Sequence, residues 1–250
     1  MKWELGLVLS GGGARGFAHG GVLQAMEEAG LKPDVIAGTS AGALAGALYA
    51  AGMKPRHILD LLKRSKYFSW RNLNFTKDGV FSMNPLKKTL QMVLPENFED
   101  LEIPLYITNT NLSKGTCEII HSGPLLEPLL ASACIPAVFK PIATERGVLV
   151  DGGIMNNFPV EPLIGKCKKI IGCHVNKLKA DDNPENWSMV RIAEQCFHLA
   201  VQETLYQKAT QCDIFIEPDL FEFRMFDVEQ ADEIYLRGYD SAMKYLQKTN

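Results

Sequence analysis

Positive charge, paired cysteines and late histidines are all scarce in this 250-residue chain, and each scarcity removes a class of function. Lysine and arginine total 26 against 29 aspartates and glutamates, a formal net charge of -3. A nucleic-acid binder needs a basic footprint, so that class is excluded. The six cysteines (Cys117, Cys134, Cys167, Cys173, Cys196 and Cys212) are scattered among apolar segments with no C-x-x-C pair. Neither a disulfide framework nor a zinc site is indicated, and a reducing compartment fits. The Ala41 to Met53 run is about a dozen residues and rich in Ala and Gly, well short of the ~20 that span a bilayer. Leu5 to Leu9 is too short for a signal-peptide core, and Glu4 stands where a basic region belongs. The expectation is a cytoplasmic protein whose membrane contact, if any, is peripheral. No repeat, low-complexity tract or linker divides the chain. At 46% hydrophobic and 22% charged residues it reads as a single domain over 1–250.

What is present is organised around Val35-Ile36-Ala37-Gly38-Thr39-Ser40-Ala41-Gly42-Ala43-Leu44, where an apolar run meets an alanine-rich one through Gly-x-Ser-x-Gly. The pattern predicts a strand, a tight turn and a helix, with Ser40 at the turn. A serine hydroxyl is a weak nucleophile that needs exposure, a base, and donors for the oxyanion its attack creates. Gly38 and Gly42 flank Ser40 without side chains, so the backbone can form an elbow and the helix can pack close beneath the strand.

Upstream, Leu5 to Leu9 reads as a buried parallel strand running into Ser10-Gly11-Gly12-Gly13-Ala14-Arg15-Gly16. From Phe17 the apolar period becomes helical and stops at Gly30. A glycine-rich loop thus joins a strand to a helix N-terminus, where free N–H groups favour negative charge. Gly11-x-Gly13-x-x-Gly16 also fits the dinucleotide fingerprint, with Asp34 near the distance of a ribose contact, so a nucleotide-binding module is the rival reading. A ribose-binding acid belongs at the carboxyl end of the second strand, however, and Asp34 precedes that strand. Ser40 follows it. A parallel arrangement puts Ser40 and the loop at one sheet edge, and the loop then reads as an oxyanion hole.

Further helices are expected over Pro55 to Leu62, Asn84 to about Val93 with Asn84 as cap, Gly123 to Ala133, Trp187 to about Ala209, and Gln230 to Leu246. Lys168 to Val175 and Cys212 to Ile216 read as core strands. Two hairpins are expected, Pro104–Thr110 with Thr116–His121 and Ile142–Thr144 with Val148–Val150, and Asp78-Gly79 reads as a plain turn. The basic and aromatic stretch Lys63 to Arg71 reads equally as an interfacial patch or as a loop anchored by buried aromatics. The second hairpin ends in Asp151-Gly152-Gly153, a carboxylate at a strand mouth on a slim loop.

A triad hydrolase of this strand-turn-helix kind places its histidine after the serine and the acid. His57, His121, His174 and His198 follow Ser40, and only the last two follow Asp151. His174 falls in an apolar strand and His198 inside a long helix, so both are expected in the core, away from the catalytic edge. Asp151 remains as the partner of Ser40. With a reference pKa of ~3.9 an aspartate is a poor base for a serine, which leaves much of the stabilisation to the loop.

Ser10 to Gly16, Gly38 to Gly42 and Asp151 to Gly153, in that order, closely resemble the motifs of the patatin-like phospholipases. Ala131-Ser132-Ala133-Cys134-Ile135-Pro136-Ala137-Val138-Phe139 is similar to that family's fourth block. The resemblance covers about residues 5–160. It implies a three-layer α/β/α sandwich around a mainly parallel central sheet, and a lipid acyl hydrolase that needs neither cofactor nor metal. Carried over by motif, Ser40 is the nucleophile, Asp151 the proton acceptor, and Gly12 and Gly13 the oxyanion donors. Gly11, Arg15, Gly16, Gly38, Gly42, Gly152 and Gly153 support them, and the fourth block shapes an acyl pocket or simply packs. Gly153 stands where family members carry alanine or glycine. The expected protein is a minimal, stand-alone bacterial member acting on phospholipids, lysophospholipids or related acyl lipids, with an esterase for small soluble esters as the alternative.

Overall fold

The computed structural model describes residues 1–65, 82–179 and 184–246. From residue 66 onward the Lys63 to Arg71 stretch lies outside them, as does Asp78-Gly79. Eight strands form one sheet: β1 (Trp3–Leu9), β2 (Val35–Gly38), β3 (Leu105–Asn111), β4 (Thr116–Ile120), β5 (Ile142–Thr144), β6 (Gly147–Asp151), β7 (Cys167–Cys173) and β8 (Ile214–Ile216). The order is β5-β6-β3-β2-β1-β7-β8, with β4 paired to β3. Strands β3, β2, β1, β7 and β8 run parallel, while β4, β5 and β6 are antiparallel additions.

The helices are α1 (Phe17–Glu28), α2 (Ala41–Ala50), α3 (Pro55–Arg64), α4 (Asn84–Gln91), α5 (Leu126–Ser132), α6 (Met189–Ala209) and α7 (Ala231–Leu246). Strand β1 shows why the sheet is covered on both faces: Leu7, Val8 and Leu9 are all fully buried, and successive side chains point to opposite sides. Leu7, Leu9 and Ile36 join the larger core with α1, α2 and α7. Val8, Val35 and Ala37 join the smaller one with Phe158, Val160, Leu163 and Leu205 of α6. This is the expected layered α/β arrangement with a mixed, mainly parallel sheet. Two local expectations shift. Asn84 is the first residue of α4 rather than its cap, which is Met83. His174 lies just past the end of β7 rather than within it, because the ladder to β1 stops at Leu9 and Cys173.

Registry decides what meets at the carboxyl edge. Leu9 pairs with both Gly38 and Cys173, so the chain leaves β2, β1 and β7 at one level, side by side. Strand β3 supplies the fourth participant. One of its edges is taken by β4 over Ile107 to Asn111. The other pairs with β2 over Leu105 to Ile107, then with β6 over Asn109 to Asn111. Strands β2 and β6 therefore run toward each other along the same edge of β3, and their ends, Gly38 and Asp151, confront one another there.

Candidate active site

Ser40 occupies the turn between β2 and α2 with φ 52 and ψ -120, a conformation unfavourable for a residue bearing a Cβ. The surroundings enforce it. A Cβ on Gly42 would come within 2.3 Å of the Leu9 carbonyl oxygen, and one on Gly38 within 2.8 Å of Gly42 backbone atoms. Only a chain bare at both positions can turn from strand to helix this tightly. The Ser40 N–H donates to Ser132 Oγ at 2.8 Å, and that hydroxyl donates to the Thr108 carbonyl at 2.7 Å. Ser132, at the end of α5, thus ties the elbow to β3. Ile135 and Val138 of the fourth block line the cavity beside Ser40, in keeping with a pocket wall, and its serine in addition braces the turn.

The head-on approach of β2 and β6 brings Ser40 Oγ to 2.6 Å from Asp151 Oδ2, to which it donates. The second carboxylate oxygen accepts the Gly153 N–H at 2.8 Å, which fixes the carboxylate's rotation. Gly152 lets β6 end against β3, since a Cβ there would sit 2.2 Å from the Thr108 carbonyl oxygen. Asp151 is 7% exposed and Ser40 5%. Burial lifts the Asp151 carboxyl to about 7, against the hydrogen bonds from Ser40 and Gly153, which favour its ionised form. This corrects the picture of a weak base. At about 1.4 kcal/mol per pKa unit, the rise from 3.8 to about 7 is worth about 4 kcal/mol to proton transfer.

The glycine loop meets Ser40 directly, for a Cβ on Gly11 would stand 3.2 Å from Ser40 Cβ. Its peptide planes are set from behind. The Gly11 N–H donates to the Asn157 carbonyl at 3.2 Å, and its carbonyl accepts Asn176 Nδ2 at 2.7 Å and Ser10 Oγ at 3.0 Å. In a trans peptide the following N–H points the opposite way, so the Gly12 N–H faces away from Asn176. The Gly12 carbonyl likewise accepts the Arg15 N–H at 3.1 Å, which turns the Gly13 N–H outward. No acceptor among the described residues takes either N–H, and both glycines line the cavity above Ser40. Gly13 has φ 58 and lies against Met225, and Gly16 lets the loop pack on Ala41 of α2.

Residues beyond the motifs hold this loop. Asn176, just past β7 and 3% exposed, uses both ends of its amide, donating to Gly11 and accepting Arg15 Nη1 at Oδ1, 3.2 Å away. Arg15 also donates through Nε to the Phe223 carbonyl at 2.8 Å. His19 of α1 is fully buried, with Nε2 2.8 Å from the Ser10 carbonyl, and burial lowers its pKa to about 4. A carbonyl only accepts, so Nε2 carries the proton and the ring is neutral. The two later histidines stand nearer the site than expected. His198 lines the cavity with Nε2 3.3 Å from Arg15 Nη1, because α6 contributes both Phe197 and His198 to its wall. His174 pairs with Glu217 at 3.0 Å. The hydroxyl of Ser40 is nevertheless directed at a carboxylate.

The cavity above Ser40 and Asp151 measures about 530 Å³ and is walled mainly by Ile135, Val138, Ile154, Phe197, Met225 and Phe226. Such a space receives an apolar chain and presents its polar end to the hydroxyl. Asp34, the acid of the nucleotide reading, lies at the opposite sheet edge, where its Oδ2 accepts the N–H groups of Glu4 and Leu5 at 3.0 and 2.9 Å. It fastens β1 and has no access to the loop. Among the described residues no group of three His, Cys, Asp or Glu side chains is placed to hold a metal ion.

A family model described as patatin-like phospholipase matches residues 7–164. Lysophospholipase nte1 of Aspergillus terreus is 29% identical over 281 residues, covering 98% of this chain and 18% of its own. Lysophospholipase NTE1 of Cryptococcus neoformans var. neoformans is 34% identical over 174 residues, 64% of this chain and 10% of its own. The chain therefore spans less than a fifth of the length of these curated relatives. They are fungal, and the expectation of a bacterial source is not borne out by them. Among solved structures, VipD from Legionella pneumophila matches with a TM-score of 0.58 at 17% identity, over 99% of this chain and 67% of that one. At that identity the likeness concerns the fold.

Proposed function

The chain belongs to the patatin-like phospholipase family, and on that premise we propose that it hydrolyses carboxylic esters of acyl lipids, phospholipids and lysophospholipids among them, as one hydrolase domain over 1–250. The observation that carries the proposal is the 2.6 Å bond from Ser40 Oγ to a buried Asp151, at the floor of an apolar cavity. Ser40 Oγ attacks the ester carbonyl as Asp151 takes its proton. The tetrahedral oxyanion is held by the N–H groups of Gly12 and Gly13, with the N-terminus of α2 adding its positive field. Asp151 then passes the proton to the departing alcohol, leaving Ser40 acylated. A water molecule gives its proton to Asp151, attacks the acyl carbon and releases the fatty acid as the serine is restored.

The apolar walls favour long acyl chains over small soluble esters. Among the described residues no helix is long and apolar enough to cross a membrane. The apolar cavity over Ser40 is what supports extending the reading to a protein that meets lipid peripherally, from the cytoplasmic side. A series of esters of rising acyl length, assayed below and above the micelle concentration, tests it. The proposal expects kcat/KM to climb with chain length and to rise further with micelles. Fastest turnover on two- to four-carbon esters, indifferent to micelles, would replace it with a soluble-ester esterase.

A further inference from the structure

Deacylation brings a water molecule to Ser40, yet the cavity above the dyad is walled mainly by apolar side chains that a bound acyl chain covers. Apart from Ser40 and Asp151, its polar side chains are Asn157 and His198. Both also border a smaller space of about 10 Å³, room for one water, whose other polar lining includes His174, Asn176, Gln202 and Lys208. The dyad therefore has a polar side as well as an acyl side. His198 Nε2 is turned to Arg15 Nη1 at 3.3 Å. The side-chain amide of Asn157, in a residue only 8% exposed, makes no hydrogen bond with the described residues. An amide carries both donor and acceptor, and leaving them unmatched in a buried place is costly, so this one is suited to a small polar ligand.

Its neighbours fix where that amide stands. The Asn156 carbonyl accepts Thr39 Oγ1 at 2.9 Å, and the Asn157 carbonyl accepts the Gly11 N–H at 3.2 Å, so the elbow and the glycine loop hold the residue on both sides. A Cβ on Gly153 would stand 2.8 Å from Asn157 Oδ1 and 3.0 Å from Asp151 Oδ1. One on Gly11 would stand 2.4 Å from Asn157 Oδ1 and 3.2 Å from Ser40 Cβ. The amide oxygen is thus within about 6 Å of both the carboxylate and the nucleophile's Cβ, a span that one water bridges.

We propose that Asn157 is a further catalytic residue, whose side-chain oxygen holds the water that cleaves the acyl-enzyme. The inference rests on the ester-hydrolase reading and adds a residue to its second half. Asn157 Oδ1 accepts one O–H of the water and Asp151 the other, which turns a lone pair of the water oxygen toward the acyl carbon. The new C–O bond forms as the second O–H breaks and its proton passes to Asp151. The tetrahedral intermediate then expels Ser40 Oγ, which takes that proton back. Acylation, which precedes this water, does not call on Asn157.

The test separates the two halves. Wild type, Asn157→Leu and Asn157→Ala, each shown folded by thermal melting, react with the p-nitrophenyl ester of a long fatty acid. The burst of p-nitrophenol reports acylation, and intact mass follows decay of the acyl adduct once excess ester is removed. The burst rate should change less than about threefold, whereas adduct decay should slow about tenfold or more in both variants, as loss of a hydrogen bond to the reacting water requires. Hydroxylamine attacks the acyl carbon without being held by Asn157, and should release the acyl group from wild type and variants at equal rates. Adduct decay equal to that of wild type would overturn the inference and leave the hydrolase reading in place. Burst, decay and hydroxylamine release all slowed together would overturn it in favour of a role in shaping the oxyanion hole. A wild type that neither forms the adduct nor releases p-nitrophenol would remove the hydrolase reading itself, and this inference with it.

Discussion

Asp151 leads to a pH dependence of activity opposite in sign to its pH dependence of stability. Its carboxyl is raised to about 7 by burial, and it accepts the Ser40 proton only when ionised. Turnover of a neutral ester, which does not itself titrate, should follow the ionised fraction. The expected kcat/KM is level above pH 8 and about a hundredfold lower at pH 5, with a single-proton limb near 7. Stability runs the other way. The folded state holds this proton more tightly than the unfolded one, so the stabilisation is complete below the unfolded value near 4 and lost as pH rises through about 7. The whole effect is as much as about 4 kcal/mol. Low-pH inactivity through this group is therefore not unfolding. Initial rates between pH 5 and 9, paired with urea melts at the same values, measure both. Because an imidazole would titrate in the same range, His198→Gln is run alongside and should keep the limb. A limb near 4, or one that vanishes with His198, would refute the reasoning.

Further outcomes follow from named contacts. Asp151→Asn should lose nearly all turnover, and the Ser40→Ala, Asp151→Asn double variant should be little worse than either single; urea melts at pH 8 should find Asp151→Asn more stable than wild type, since it removes a buried charge. Ser132→Ala strips the Ser40 N–H of its acceptor and should cost about 1–3 kcal/mol in urea melts, with a fall in kcat. Asn176→Asp keeps the oxygen toward Arg15 but loses the donor to Gly11, so kcat should drop about tenfold or more with KM little changed, and an unaltered kcat would show that the loop needs no such brace. Gly12→Ala would place a Cβ 2.4 Å from Val175 Cγ2 and Gly13→Ala would strain φ 58; both should lower melting temperature together with kcat.

Much of this site could be read from the sequence because its parts are local. Glycines around Ser40 and through Gly11 to Gly13 are imposed by turns within a few residues, and the residue pattern records such turns. The place of Asp151 at a strand mouth was legible for the same reason, as was the misplacement of Asp34. What was hidden is tertiary. Ser132 reaches Ser40 across 92 positions and Asn176 reaches Gly11 across 165, and an ordinary Ser or Asn at a helix or strand end carries no mark of its distant partner. His198 reads as a core residue because it falls inside a long helix, and a place within a helix does not tell a packed interior from a cavity wall. The pKa of Asp151 was misjudged because it depends on burial by segments far apart in the chain.

The central claim is that Ser40, activated by Asp151, is the nucleophile. Intact-mass and peptide mapping after reaction with a fluorophosphonate tests it most directly. The account predicts one adduct per chain, on Ser40, formed with the pH limb near 7, absent in Ser40→Ala and greatly slowed in Asp151→Asn. An adduct on any other residue, or labelling of Asp151→Asn at the wild-type rate, would contradict it.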